Sequence, residues 1–539
     1  MQYLKVLQKN KFILIVFAIG LFLRVYKLDQ IPKGFYVDEA EIGYTAYSFL
    51  KTGFRDEYGK FLPIFLRSFS AYSSPLYSYI DVFFIWIFGL NVFAVRILSA
   101  LSGAISIPLI YILTNKLFKN SSLSKISSLI FAISPWSIFF SRGTYEANLS
   151  VMILLFSLVL LVESTKSINY LYLASIILAT NTYAYQSQRI ISILLLVLFS
   201  LLNLKIKNIK KIFAANIIFL LLLLPQIIIS LSPAFSSRAA GLFYADRATN
   251  IILFFREFFS QYFNYFSINN LFLRGDPDLQ RSIPELAPFY SFLYLPFVLG
   301  IFEIFKNLKE KEYLVIFILL VIFPIVPALT KDPFSTIRNL SSIIPIIIII
   351  SLGIFKIYKN INKKLFIMLA TICLISAFIY LWRSYFVLFP YERAKVWNDG
   401  YENLSEIVRD NPNEKFVVEN NRLKPPYILL AFYLKLDPKE LQNSADPDIK
   451  NNYYENTEWN PNYKLANFET RNINWEKDIY NNLILVGDEL SISEGQAKEH
   501  FLEKVFEIKT RSGEIVFVGY KTNPEEKCKS HKEVNEKCK

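Results

Sequence analysis

Three carboxylates stand close together in "GFYVDEAEIGY", residues 34–44: Asp38, Glu39 and Glu41, with aromatic rings on both sides and a long apolar run before them. Adjacent acids in such surroundings can supply a general base, because a carboxylate that loses water gains basicity. The same acids could instead cap the amphipathic stretch "DEAEIGYTAYSFLK", where negative charge favours a helix N-terminus by about 0.3–1 kcal/mol. Glu41 is expected to face solvent. A further acid, Glu146 in "SRGTYEANL", lies about one helical turn from Arg142, so a local ion pair competes with a functional role. Arg189 in "YAYQSQRI" and Arg338 in "DPFSTIRNLSSIIP" stand at the mouths of apolar segments. Each could anchor to lipid headgroups, and two guanidinium groups can also fork onto the oxygens of one phosphate.

Other chemistries lack their residues. The two histidines, His500 and His531, lie in the polar C-terminal part without ligand-spaced partners, which removes zinc hydrolysis and histidine-dependent nucleophiles. No glycine-rich phosphate-binding pattern occurs. Carboxylates and arginines remain, and they suit a substrate whose leaving group is a phosphate on a lipid tail.

The elements that must position these groups are membrane spans. The 539 residues are 53% hydrophobic and 19% charged, and the mean hydropathy is +0.34. Soluble domains are less apolar and more charged than this. The net charge of +13 gathers in short loops between apolar runs. That pattern records orientation in a bilayer rather than contact with nucleic acid. Lys5, Lys9 and Lys11 precede the first run, which has no small-residue cleavage pattern after it. An uncleaved first span with a cytoplasmic N-terminus is expected.

Ten further spans are expected near 93–116, 125–141, 148–163, 170–184, 188–204, 212–231, 287–305, 313–329, 338–356 and 365–385, making eleven. Their connections alternate between lysine-only loops, expected in the cytoplasm, and loops carrying Arg142 to Asn148, Gln186 to Arg189, residues 232–286, and Thr330 to Arg338, expected outside. The alternation holds if residues 74–90, which contain Asp81, form an interfacial or re-entrant helix; the alternative is that they cross. After residue 390 the composition turns polar, with strand-like runs "KFVVEN", "NLILVG", "KVFEIKT" and "EIVFVGY" and a helix-like "YENLSEIVRD". The expected architecture is mainly α: a polytopic helical membrane unit over 1–390 and an extracytoplasmic soluble α/β domain over 391–539. Cys528 and Cys538 could pair there or stay free.

Four stretches, "VDEAEIGYTAYSFLKTGFRDEYGKFLP", "SPWSIFFSRGTYEANL", "TYAYQSQRI" and "RNLSSIIPIIII", together resemble the polytopic GT-C glycosyltransferases of the family 39 type, related to protein mannosyltransferases and to the aminoarabinose transferase of lipid A. The likeness runs in order over residues 10–385 and is most specific in the first loop. It implies a cell-membrane enzyme that transfers a sugar, with inversion, from a polyprenyl-phosphate donor to a protein, glycan or lipid acceptor on the outer face. By this resemblance Asp38 is the catalytic base, Glu39 orients the acceptor or Asp38, and Glu146 supports the same site. Arg189 and Arg338 would stabilise the departing lipid phosphate, with Arg142 and Gln188 as further contacts on that face. Family members often carry "KPP" before the interfacial helix; this chain has "SSPL", with Ser73 at the lysine position, so Arg67 and Lys60 become candidates for the missing phosphate contact. No cofactor is required by the resemblance, although Asp38, Glu39 and Glu146 could in principle hold Mg2+ or Mn2+.

Two other readings fit many spans with charges at the membrane edge. A lipid or sugar transporter or flippase should show internal two-fold repeats and broken helices at mid-membrane, whereas here the polar groups gather on one face. A membrane-anchored sensor would place its function in the C-terminal part and leave Asp38 dispensable.

Overall fold

A computed structural model describes residues 11–236, 243–244, 250–423 and 425–530. Lys5, Lys9, His531 and Cys538 lie outside the described residues. Helices occupy all eleven expected segments, from Lys11–Val25 to Lys363–Leu381. Among the described residues six helices are individually long and apolar enough to cross a bilayer: Val92–Phe118, Glu146–Ser164, Ile206–Ile229, Lys311–Leu329, Leu340–Asn360 and Lys363–Glu392. The protein is thus a polytopic helical membrane protein. The Leu76–Phe88 helix has 13 residues, about 20 Å, which is short for a span. It leaves Phe83, Trp86 and Phe88 exposed while burying Asp81 completely.

Residues 232–286, read from the sequence as one long loop, contain a helix, Ile251–Asn264. Its aromatic residues recur at a helical spacing, and Phe255, Phe259 and Phe263 form an exposed apolar stripe. Close helix contact is made where side chains vanish. A Cβ on Gly353 would lie 1.8 Å from the Pro296 carbonyl, and one on Gly300 would lie 1.9 Å from that of Ile349, so the Tyr294–Lys306 and Ile343–Asn360 helices meet backbone to backbone.

Beyond Glu392 the chain forms the expected α/β region. Its six-stranded sheet runs Tyr463–Leu465, Phe468–Thr470, Phe416–Val418, Ile484–Gly487, Ile515–Lys521, Glu503–Lys509 in spatial order. Phe416–Val418 is parallel to both of its neighbours and the other pairings are antiparallel. The apolar "PYILLAFYL" folds as the helix Pro426–Leu434, whose residues from Pro426 to Phe432 are all buried. It packs on the Val37–Thr52 helix, with Tyr44 donating to the Leu436 carbonyl at 3.0 Å and the Phe35 and Phe432 rings 4.5 Å apart.

A second junction joins the loop after the Val37–Thr52 helix to residues 442–458. Asp56 is buried and accepts from the backbone N–H groups of Tyr58 and Lys60 at 3.0 and 2.8 Å and from the Tyr453 hydroxyl at 2.5 Å. Arg67 donates to the carbonyls of Asn456 and Glu458. Beside this knot, Glu57 accepts from Thr45 at 2.8 Å. Burial, and then repulsion from Asp56, push Glu57 up to about 8. A carboxyl raised above its unfolded value holds its proton in the folded state, so its contribution to stability is full below its ordinary value near 4.5 and is lost as pH rises through about 8. The thermal midpoint of the full chain in detergent should therefore fall across that interval, and Glu57→Gln should flatten the fall; an unchanged slope in the variant would refute the assignment.

Candidate active site

One cavity of about 410 Å3 collects most of the chemistry foreseen in the sequence. Asp38, Glu146, Arg189 and Arg338 all line it. Each comes from a different part of the chain: Asp38 from the first turn of the Val37–Thr52 helix, Glu146 from the start of Glu146–Ser164, Arg189 from the start of Gln188–Leu202, and Arg338 from the turn before Ile343–Asn360. The first three helices open at this cavity, so their N-terminal dipoles favour negative charge there.

The two arginines are held differently. The Arg189 guanidinium lies over the rings of Phe65 and Phe235, 4.5 and 5.1 Å from their centroids. That contact fixes the plane of the cation and strips water from its faces. Arg338 Nη1 pairs with Asp332 Oδ2 at 2.8 Å and donates to Thr330 Oγ1 at 3.0 Å. Asp332 also accepts from Arg281 at 3.3 Å, and Arg281 pairs with Asp278 at 3.0 Å. Arg281 and Asp278 line the same cavity. Opposing charges hold Arg281 above its ordinary value despite its burial, so it stays a cation. Sequence reading placed Arg281, Asp278, Asp332 and Thr330 within two loops on the expected face but did not single them out as site residues, because nothing in "GDPDLQRS" and "TKDPFSTIR" shows which polar groups converge.

Four residues lie elsewhere than expected, and for Glu39 the placement leaves only the role of orienting Asp38. Glu39 does not line the cavity; it is 2% exposed and forms a bidentate pair with Arg96, Nε to Oε1 at 2.9 Å and Nη2 to Oε2 at 2.8 Å. It also accepts from the backbone N–H groups of Tyr36 at 3.1 Å and Thr144 at 2.8 Å. The Tyr36 bond is half of a capping box, so capping is what this acid does locally. Arg142 is buried away from the cavity and donates to the carbonyls of Leu23, Tyr26 and Ile31 at 2.9, 2.7 and 2.9 Å rather than to Glu146. Gln188 faces inward and donates to Ser341 at 2.9 Å, tying the helix that carries Arg189 to the turn after Arg338. Glu41 is buried, not solvated, and accepts from Ser68 at 2.7 Å.

The substitutes proposed for the missing lysine are engaged elsewhere as well. Arg67 serves the carbonyls at the second junction, and Lys60 lies over the rings of Tyr453 and Tyr454. With Glu39 committed to Arg96, the three acids named for a divalent ion do not converge. Among the described residues no group of three His, Cys, Asp or Glu side chains clusters with metal-binding geometry.

Arg96 is the residue that orders the floor of the site, and the sequence signal for it was a charge near the start of a 27-residue apolar helix whose other charge, Lys116, sits in the last turn. All five of its N–H donors are used: two on Glu39, and the others on the carbonyls of Leu28, Pro32 and Gly34 at 3.1, 3.0 and 2.9 Å.

The architecture resembles that of the GT-C polytopic membrane glycosyltransferases that the sequence motifs implied. Superposition on the crystal structure of ArnT from Cupriavidus metallidurans in the apo state gives a TM-score of 0.56 at 12% identity, covering 94% of this chain and 97% of that one. The same protein bound to undecaprenyl phosphate gives 0.55 at 10% identity with the same coverage. Within that class, residues 72–229 match the family described as dolichyl-phosphate-mannose-protein mannosyltransferase. The chain is therefore similar to GT-C glycosyltransferases of the family 39 type, as its motifs implied. The matched segment contains Glu146 and Arg189. No curated protein matches the chain by sequence.

Removing one partner of the buried pair leaves an uncompensated charge, which costs about 3–5 kcal/mol. Glu39→Gln and Arg96→Met should each lower the thermal midpoint sharply, and the double variant should lose less than the sum of the two. Additive losses would show that the pair is not coupled.

Proposed function

We propose that the protein is an inverting glycosyltransferase that moves a sugar from a polyprenyl-phosphate carrier to an acceptor hydroxyl at the outer face of the membrane. Residues 1–390 form the transferase unit in this reading, and residues 391–539 form an extracytoplasmic α/β domain that braces the Val37–Thr52 helix. The observation that carries it is the shared cavity, in which a carboxylate from one helix start lies with arginines from two others. The ArnT neighbour with undecaprenyl phosphate supports a lipid-phosphate donor.

In the proposed reaction Asp38 takes the proton from the acceptor hydroxyl as that oxygen attacks the anomeric carbon. The bond from the anomeric carbon to the phosphate oxygen breaks, and its electron pair stays on the lipid phosphate. Arg189 and Arg338 meet the charge that grows there, an effect strengthened where water is excluded. Glu146 supports the base side of the cavity. Glu39 acts at one remove: its ion pair fixes the backbone of residues 34–39 and hence the direction in which Asp38 points.

The test is transfer from a panel of radiolabelled polyprenyl-phosphate sugars by purified wild type and variants. Asp38→Asn should reduce turnover about 10²–10⁴-fold with an unchanged thermal midpoint. Arg189→Ala and Arg338→Ala should weaken use of the donor. Turnover by Asp38→Asn equal to wild type would remove it as the base.

A further inference from the structure

A second and larger cavity, about 660 Å3, lies at the other end of the bundle. Glu146–Ser164 opens at the first cavity and ends at the second, and its 19 residues span about 28 Å, close to the hydrocarbon thickness of a bilayer. Gln188–Leu202 likewise has Arg189 at one cavity and Leu202 at the other.

Six lysines line this second cavity: Lys116, Lys166, Lys205, Lys207, Lys211 and Lys311. Lys116 and Lys166 are already matched by Glu163, at 3.0 and 2.9 Å. Among the described residues Lys205, Lys207 and Lys311 have no carboxylate within ion-pair distance. Glu312 is the one acid in the lining, so positive charge is in excess. Backbone adds to it, because two helices begin at this cavity, at Asn169 and Lys311, and neither has a side-chain cap on its first N–H groups. Uncapped helix starts beside lysines present donors and partial positive charge to an anion. Between the lysines and the bundle core the wall turns apolar, with Val162, Phe199, Leu202, Val315 and Ile318. A free anion has no use for such a wall, whereas an acyl chain does.

We infer that this cavity binds the phosphate headgroup of an anionic membrane phospholipid, with its acyl chain against the apolar wall. The site is separate from the proposed catalytic cavity and does not depend on the reaction assigned to it. A basic pocket between helix ends suits an anionic headgroup, each lysine strengthening the attraction.

The full chain in mild detergent, titrated with short-chain phosphatidylglycerol, short-chain phosphatidylcholine or inorganic phosphate, tests it by calorimetry. Phosphatidylglycerol should bind wild type at least about tenfold more tightly than either other probe. The Lys205→Gln, Lys207→Gln, Lys311→Gln triple variant should lose that advantage, the matching triple Lys→Arg variant should keep it, and Arg189→Ala should bind as wild type does. Equal binding of the two phospholipids would show a purely apolar groove. Inorganic phosphate binding as tightly as phosphatidylglycerol would show a free-anion site, and loss in Arg189→Ala would place the lipid in the other cavity. Each of these three results, or undiminished binding by the Gln triple variant, overturns the inference.

Discussion

The buried pair between Glu39 and Arg96 is the constraint from which the rest of the site follows. A carboxylate and a guanidinium taken out of water are tolerable only when every lone pair and N–H finds a partner, and here the guanidinium is completely satisfied. Satisfying it draws in the carbonyls of Leu28, Pro32 and Gly34, the helix start at Tyr36 and the N–H of Thr144. Those groups belong to, or lie next to, the two loops that lead into the helix starts carrying Asp38 and Glu146. A single ion pair therefore sets the spacing of two acids that lie more than a hundred residues apart in sequence.

The C-terminal region closes over the same pair. Phe35 and Trp397 lie on the Arg96 guanidinium at 5.5 and 5.8 Å, and Gly34 at φ +86° passes so close to Trp397 that a Cβ would lie 2.3 Å from its carbonyl oxygen. The left-handed backbone and the lack of space both require glycine at this position. Pro426–Leu434 then covers the outer side of the Val37–Thr52 helix. The polar region after residue 390 is thus part of the packing that holds Asp38.

Much of this was legible in the sequence for a physical reason. Bilayer spans are long apolar runs, and lysine loops mark one side, so helix positions could be read directly. Asp38, Glu146, Arg189 and Arg338 were legible because charges at the ends of such runs are expensive without a role. What was not legible was pairing across the chain. Nothing local tells Glu39 from Asp38, one residue apart, yet a helix rotates successive side chains by about 100 degrees, sending one to the cavity and the other to Arg96. Arg142 looked like a site residue for the same reason, and its partners turned out to be carbonyls at the end of the first helix and in the turn after it, more than a hundred residues earlier. The Ile251–Asn264 helix was hidden by its polar flanks.

In the proposed reaction Asp332 would bear on turnover. It pairs with both Arg338 and Arg281 before any ligand arrives, and Asp278 shares the charge of Arg281. In the proposed reaction the carrier enters as a phosphodiester with one negative charge and leaves as a phosphomonoester with nearly two. Bare arginines would grip the spent carrier harder than the fresh one, and the enzyme would clog on its own by-product. An aspartate tethered within reach competes for the same guanidinium groups, so in the proposed reaction it would supply the counterweight by which the spent carrier is let go.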